Sequence, residues 1–295
     1  ATGGGVLYGC TAFGMTGFSV TETDHILSAY RNWYWKQVGI EKPYNISWIW
    51  NIPELYKHRH LDVETFSALK EGCSSLRKPK NDNRGAGCLP RVAPIALYHK
   101  CPDSNKHIQL AAETAALTHG SPLAWLSASL LVHLISRTIY AGCPKGDYLC
   151  GYLWEGKERL FQQFGNKQEL QHLFETVDNA ILLAANKKDD ATNIARLNNG
   201  RRADECLGVA IYCTLRYPLD FGGAICAAAN HSGSITASIV GQILGAKLGY
   251  SHIESKWTDS LERRDVILEI ADDLTYGECD DSKWISKYHT CDFVM

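Results

Sequence analysis

Between Ser234 and Gly249 a small residue returns every fourth position, at Ala237, Gly241 and Gly245, while Ile239, Val240, Ile243 and Leu244 share one face. Side chains spaced by three and by four lie one above another on a helix, whereas on a strand those three apart fall on opposite faces, so the pattern predicts a helix. Its row of small residues permits close approach of a neighbouring backbone. Upstream, ADECLGVAIYCTLRY sets Leu207, Ala210, Ile211 and Thr214 on a similar stripe, and Pro218 ends it. Between these two helices Asn230-His231-Ser232-Gly233-Ser234-Ile235-Thr236 reads as a polar elbow with several candidate N-caps. Two uses stay open: an ordinary helix cap, or a set of hydroxyls and free backbone N–H groups offered to an anion or a metal.

The rest of the chain continues the helical pattern. His107 to Tyr140 is helical in composition and broken at Thr118-His119-Gly120-Ser121-Pro122, where Pro122 suits the first turn of the next helix. Leu123 to Ile135 is apolar but carries His133 and several serines, and it falls short of the roughly 18 apolar residues that a membrane span requires, so it reads as a buried helix. Tyr148 to Asn199 is polar-faced helix, best patterned in LFETVDNAILLAAN, and Trp257 to Leu274 sets Leu261, Val266, Ile267, Ile270 and Leu274 on one side. Alternating Val/Ile/Thr runs between turns are almost absent. The fold predicted is all-α, with 295 residues, 45% of them hydrophobic, in a single domain without a linker. The first 22 residues are the least defined, since the Gly-rich opening lacks periodicity and a helical pattern begins only near Asp24.

A net charge of −2 gives no case for non-specific nucleic-acid binding. The first basic residue is Arg31, so no charged leader precedes the apolar opening, and a cytoplasmic protein is expected. Eleven cysteines are an odd number and none forms a Cys-x-x-Cys pair, which favours buried free thiols in a reducing compartment over zinc. His58 and His60 read as surface residues.

Two loops carry further chemistry. KPKNDNRGAGCLPRVAPIALY, from Lys78, reads as a loop through Gly85-Ala86-Gly87-Cys88 that enters a helix near Pro94; a lone Gly-x-Gly is a turn as readily as a phosphate cradle. Thr21-Glu22-Thr23-Asp24 offers hydroxyls and two acids at a helix start, and a plain N-cap there is equally open. Thr118 and His119 sit either in a solvent-facing turn or in a binding turn.

Taken in order, these blocks resemble the ADP-ribosylglycohydrolase family, which includes the dinitrogenase-reductase-activating glycohydrolases and the lens J-crystallins. Ala203-Asp204-Glu205 and Asn230-His231-Ser232-Gly233 match its motifs, as do Gly85-x-Gly87 followed by Arg91-Val92-Ala93-Pro94, and Thr118-His119 before a proline. Pro90 stands where methionine is common. The resemblance implies hydrolysis of the bond between ADP-ribose and an acceptor, arginine first, in a cleft holding a pair of magnesium ions. It further implies Glu22 and Asp24 as catalytic acids and Thr23, Asp24 and Ser234 as metal ligands. Gly85, Ala86, Gly87, Cys88, Thr118, His119, Tyr212, His231, Ser232 and Gly233 would contact the ligand, an ADP-ribosylated protein or ADP-ribose itself. The chain departs from the family at both acidic motifs: Thr21-Glu22-Thr23-Asp24 lacks paired aspartates, and the Asp-Ser-Asp that follows Gly233 in relatives is missing. Hard cations need such oxygens. Intact flanks on both sides favour residues left out of the sequence as read over residues lost. A non-catalytic or structural relative is the competing expectation.

Overall fold

The computed structural model describes residues 1–16, 21–40, 48–57, 62–98, 104–141, 148–277 and 282–288. His58 and His60 lie outside them. The described residues are helical and contain no strand. In chain order the helices are α1 (Thr2–Thr16), α2 (Glu22–Gln37), α3 (Val63–Glu71), α4 (Leu89–Leu97), α5 (Ser104–Ala116), α6 (Pro122–Tyr140), α7 (Leu149–Phe164), α8 (Gln168–Ala184), α9 (Asp190–Ala195), α10 (Ala203–Arg216), α11 (Phe221–His231), α12 (Ser234–Leu248), α13 (Ser255–Thr258), α14 (Arg264–Tyr276) and α15 (Ser282–Tyr288).

The core is built around α6, which is buried almost continuously from Leu123 to Ser136 and packs against α4, α5, α7, α8, α10 and α12. By length and hydropathy α6 passes for a membrane span, yet its surface is spent on these neighbours. Leu126, Leu130, Leu131 and Leu134 are fully buried, each stabilising the fold by about 1.5–3 kcal/mol. Its hydroxyls are satisfied: Ser127 and Thr138 donate to carbonyls one turn back, and Ser129 donates to the Ile108 carbonyl of α5 at 2.9 Å.

Where sequence pattern fails, close packing explains the difference. The Gly-rich opening is a helix because glycine is needed at its contact with α2: a Cβ on Gly5 would stand 2.6 Å from the Ile26 Cα. A helix also lies between the two predicted around the elbow, since α11 starts on the Asp220 cap, whose carboxylate accepts from the Gly223 N–H at 2.8 Å. Asn230 and His231 are therefore its last turn rather than loop. In the C-terminal stretch the helix is interrupted between α13 and α14, leaving Leu261 and Ile267 half-exposed while Val266 and Leu274 are buried. The loop after Lys78 enters its helix at Leu89, with Pro94 inside it.

Candidate functional site

Asp62 caps α3. Its side chain accepts from the Thr65 N–H at 3.3 Å and from the Thr65 hydroxyl. Glu64 stands in the first turn of that helix, where the positive end of the helix dipole favours an acid. The two carboxylates reach over the loop at residues 81–88, and glycine is what lets them: a Cβ on Gly85 would stand 2.3 Å from Glu64 Oε2, and one on Gly87 would stand 2.2 Å from Asp62 Oδ2. Neither glycine has positive φ, so close approach is the reason for both. The space beside the Gly-x-Gly is thus filled by acids.

The loop is tied to the turn before α6 by an asparagine network. Asn81 donates to the Thr118 carbonyl at 3.2 Å and accepts from the Gly120 N–H at 2.8 Å, while Asn83 accepts from the Gly85 N–H at 2.8 Å. A Cβ at Gly120 would meet the Asn81 carbonyl oxygen at 2.1 Å, which demands glycine there. On the other side the Ala203 N–H at the start of α10 donates to the Arg84 carbonyl at 2.9 Å. Arg91 of α4 completes the frame: it donates to the Gly87 carbonyl at 3.0 Å and to the Thr118 hydroxyl at 2.7 Å, and it covers the Tyr30 ring at 4.9 Å.

His119 is delivered into this frame fully buried, not facing solvent. Its Nδ1 lies 2.8 Å from the Thr118 hydroxyl oxygen. Its Nε2 points at the acids, 3.8 Å from Asp62 Oδ2 and 3.9 Å from Glu64 Oε2. These separations exceed a hydrogen bond, and Nε2 has no such partner among the described residues. Burial, with the Arg91 charge adding to it and Asp62 opposing, lowers the His119 pKa to about 4. The imidazole is therefore neutral at pH 7. Among the described residues, Asp62, Glu64 and His119 form the one group of three metal-ligating side chains whose ligand atoms all lie within 4.8 Å of one another.

Beside Glu64 opens a cavity of about 520 Å³ with both acids and bases on its wall. Glu64 and Glu71 of α3, Asp82 and Arg84 of the loop, and Arg201 and Arg202 before α10 are among the residues that line it. Arg202 is occupied by Asp204 at 3.2 Å and Glu205 at 3.0 Å, and Arg84 pairs with Asp82 at 3.1 Å.

Of the residues that sequence assigned to the ligand, Gly85, Ala86, Gly87, Cys88, Thr118 and His119 come together in this frame. Ala86 and Cys88 are buried, and burial pushes the Cys88 thiol up to about 12, so it stays protonated. Tyr212 is elsewhere: fully buried, it donates to Asp190 at 2.5 Å and accepts from Asn193 at 3.3 Å, between α9 and α10. At the elbow His231 is exposed, and Ser232 donates to the Asn199 carbonyl at 3.0 Å and meets Thr236 Oγ1 at 2.7 Å. Gly233, at φ 103°, is the residue before α12, and Ser234 is exposed as its first.

The acids assigned to metal and catalysis do not join the His119 group. Glu22 and Asp24 are exposed; the Asp24 carboxylate accepts from the Thr21 hydroxyl at 2.7 Å, and Thr21 Oγ1 accepts from the Asp24 N–H, an ordinary capping arrangement. Thr23 donates to Glu113 of α5 at 2.7 Å. At the elbow the chain passes directly from Gly233 to Ser234, without the Asp-Ser-Asp expected there. The Gly233 N–H donates to the Ala228 carbonyl at 3.0 Å and the Ala237 N–H to the Gly233 carbonyl at 3.1 Å. Asp62 and Glu64 were missed because two acids at a helix start are the usual dipole partners and imply no site. Arg91 was noticed as part of a motif, but its bond to Thr118 depends on tertiary contact.

A family model described as ADP-ribosylglycohydrolase matches residues 9–283. A solved structure titled "ADP-ribosylglycohydrolase-related protein complex" shares the fold at a TM-score of 0.50 and 17% identity, over 93% of this chain and 79% of that one. No curated protein matches. With the all-α architecture and the match along nearly its whole length, this chain belongs to the ADP-ribosylglycohydrolase family.

Proposed function

We propose that the chain hydrolyses the bond between ADP-ribose and a protein acceptor, arginine before other residues, in the cavity beside Glu64. The observation that carries this is the presence of both guanidinium groups and carboxylates on the cavity wall. Arg201, and Arg84 once drawn from its exposed pair with Asp82, suit a diphosphate, to which guanidinium groups donate in pairs, while Glu64 and Glu71 suit a guanidinium on the acceptor side. About 520 Å³ lies within the range of small-molecule sites. Cleavage of a glycosidic bond develops positive charge at the anomeric carbon, which the Glu64 carboxylate on the cavity wall, with Asp62 next to it, would stabilise. His119, neutral and fixed through Thr118 and Arg91, holds the far side of that pair.

The family's magnesium does not fit the residues expected to hold it. Thr23 and Asp24 use oxygens on Glu113 and Thr21, Ser234 stands exposed on another helix, and the Asp-Ser-Asp that would supply carboxylates is not in the chain. No step is assigned to a metal at those positions. The same departure favours a second function, a protein that binds ADP-ribose without turning it over. One assay separates the two: release of ADP-ribose from ADP-ribosylarginine and ADP-ribosylserine peptides, followed with calorimetry of free ADP-ribose. Release from the arginine peptide that falls at least tenfold in Glu64→Gln is expected; binding without release in the unaltered chain leaves the binder, and neither binding nor release removes both.

A further inference from the structure

We propose that Asp62, Glu64 and His119 form a mononuclear site for a borderline transition-metal dication, of the Zn2+ or Co2+ kind, in preference to magnesium. It concerns the cavity on which the hydrolase proposal rests, but it stands on the ligand atoms alone. Two carboxylates and one imidazole converge with all ligand atoms within 4.8 Å, and the one buried member, His119, aims an Nε2 at the other two that no hydrogen bond satisfies. Neither tautomer resolves this. With the proton on Nε2 the acids at 3.8 and 3.9 Å are too distant to accept it, and with the proton on Nδ1 a lone pair faces two negative groups. A cation between them answers both.

The dimensions agree. Ligands at about 2.0–2.1 Å from one ion and about 110–120° apart are roughly 3.3–3.6 Å from each other, so the two acids, 3.8 and 3.9 Å from Nε2, must close on it by a few tenths of an ångström and, standing within 4.8 Å of each other, must close on one another by up to about 1 Å. The side chains that would move are Asp62 and Glu64, 35% and 52% exposed, while His119 is held. Its Nδ1 is positioned to donate to the Thr118 hydroxyl, which is itself fixed by Arg91, the outer hydrogen bonding that orients a metal-bound imidazole. The donor set sorts the ions: imidazole suits zinc and its spectroscopic substitute cobalt, whereas magnesium and manganese favour oxygen ligands and magnesium near-octahedral ligation. Three protein ligands leave coordination positions open towards the cavity that Glu64 also lines.

Co2+ is the probe, because its visible bands report nitrogen and oxygen ligands and a strong ultraviolet charge-transfer band reports thiolates, which matters in a chain with eleven cysteines. Co2+ is titrated into the full chain after chelator treatment, with excess Mg2+ as competitor. The expected result is one saturable site per chain with visible bands, no thiolate band and no displacement by Mg2+. Affinity falls at least tenfold in His119→Gln and in Glu64→Gln, the latter an exposed change that keeps the test available if the former does not fold. Asp24→Asn leaves Co2+ affinity unchanged. Binding unaffected by Glu64→Gln, binding lost in Asp24→Asn, or spectra dominated by thiolate bands would overturn the proposal. Release of ADP-ribose by a chain that binds no Co2+ overturns this site and leaves the hydrolase proposal standing; a Co2+ site without release does the reverse.

Discussion

Replacing Gly87 by alanine tests whether the loop works through Asp62. The backbone at Gly87 is open to an L residue, so the substitution carries no conformational strain of its own. The new Cβ, however, would lie 2.2 Å from Asp62 Oδ2, and ordinary contact begins near 3.4 Å, so the carboxylate must retreat by roughly 1 Å. Being the end of a side chain, it can. The retreat breaks its already long 3.3 Å bond from the Thr65 N–H, and loss of an N-cap costs about 0.5–2 kcal/mol. For a domain of this size that amounts to a fall in Tm of a few degrees, not unfolding. The metal-binding group loses an oxygen, and Co2+ affinity is expected to fall at least about tenfold, the smallest change usually seen even when only an outer partner of a ligand is disturbed. Melting followed by circular dichroism and a Co2+ titration are run on Gly87→Ala, Asp62→Ala and the double variant. If the Cβ acts by displacing Asp62, it has little left to do once Asp62 is alanine, and the two effects are strongly non-additive. Additive effects, or an unchanged Co2+ affinity in Gly87→Ala, would refute this account of the glycine.

Leu130→Ala in the fully buried α6 should cost about 2–5 kcal/mol in denaturant unfolding, whereas Leu182→Ala, 70% exposed, should stay within about 0.5 kcal/mol. Burial lowers His133 to about 4, as it does His119, below the unfolded value near 6.5. The unfolded chain therefore binds more protons between these values, and the stability contributed is complete above about 6.5 and lost as pH falls towards 4. His133→Gln should reduce the acid slope of a Tm–pH series, and an unchanged slope would show that His133 charges freely in the fold. Tyr212→Phe removes the donor to Asp190 and is expected to lower stability by about 1–3 kcal/mol while leaving ADP-ribose affinity unchanged in calorimetry; a loss of affinity would return Tyr212 to the ligand.

Periodicity alone determined that the chain is helical and where its strongest helices lie, because the apolar stripes of α10 and α12 bear on the backbone's own repeat. Residue order determined the family, since Gly85-x-Gly87, Thr118-His119, Ala203-Asp204-Glu205 and the elbow stand in their familiar sequence even where acids are lost. What sequence could not show is α1, whose Gly5 is used for contact with Ile26, a partner known only once the two helices meet. The same holds for the candidate site. Asp62 and Glu64 are separated from His119 by more than fifty residues of chain, and each has a sufficient local reason to be where it is: a cap, a first-turn acid, a turn histidine. Only the asparagine network, Arg91 and the missing Cβ atoms of Gly85 and Gly87 bring them within a few ångströms of one another. A side chain's local role is written in its neighbours along the sequence, but its chemistry depends on which charges share its desolvated space, and that is decided by packing.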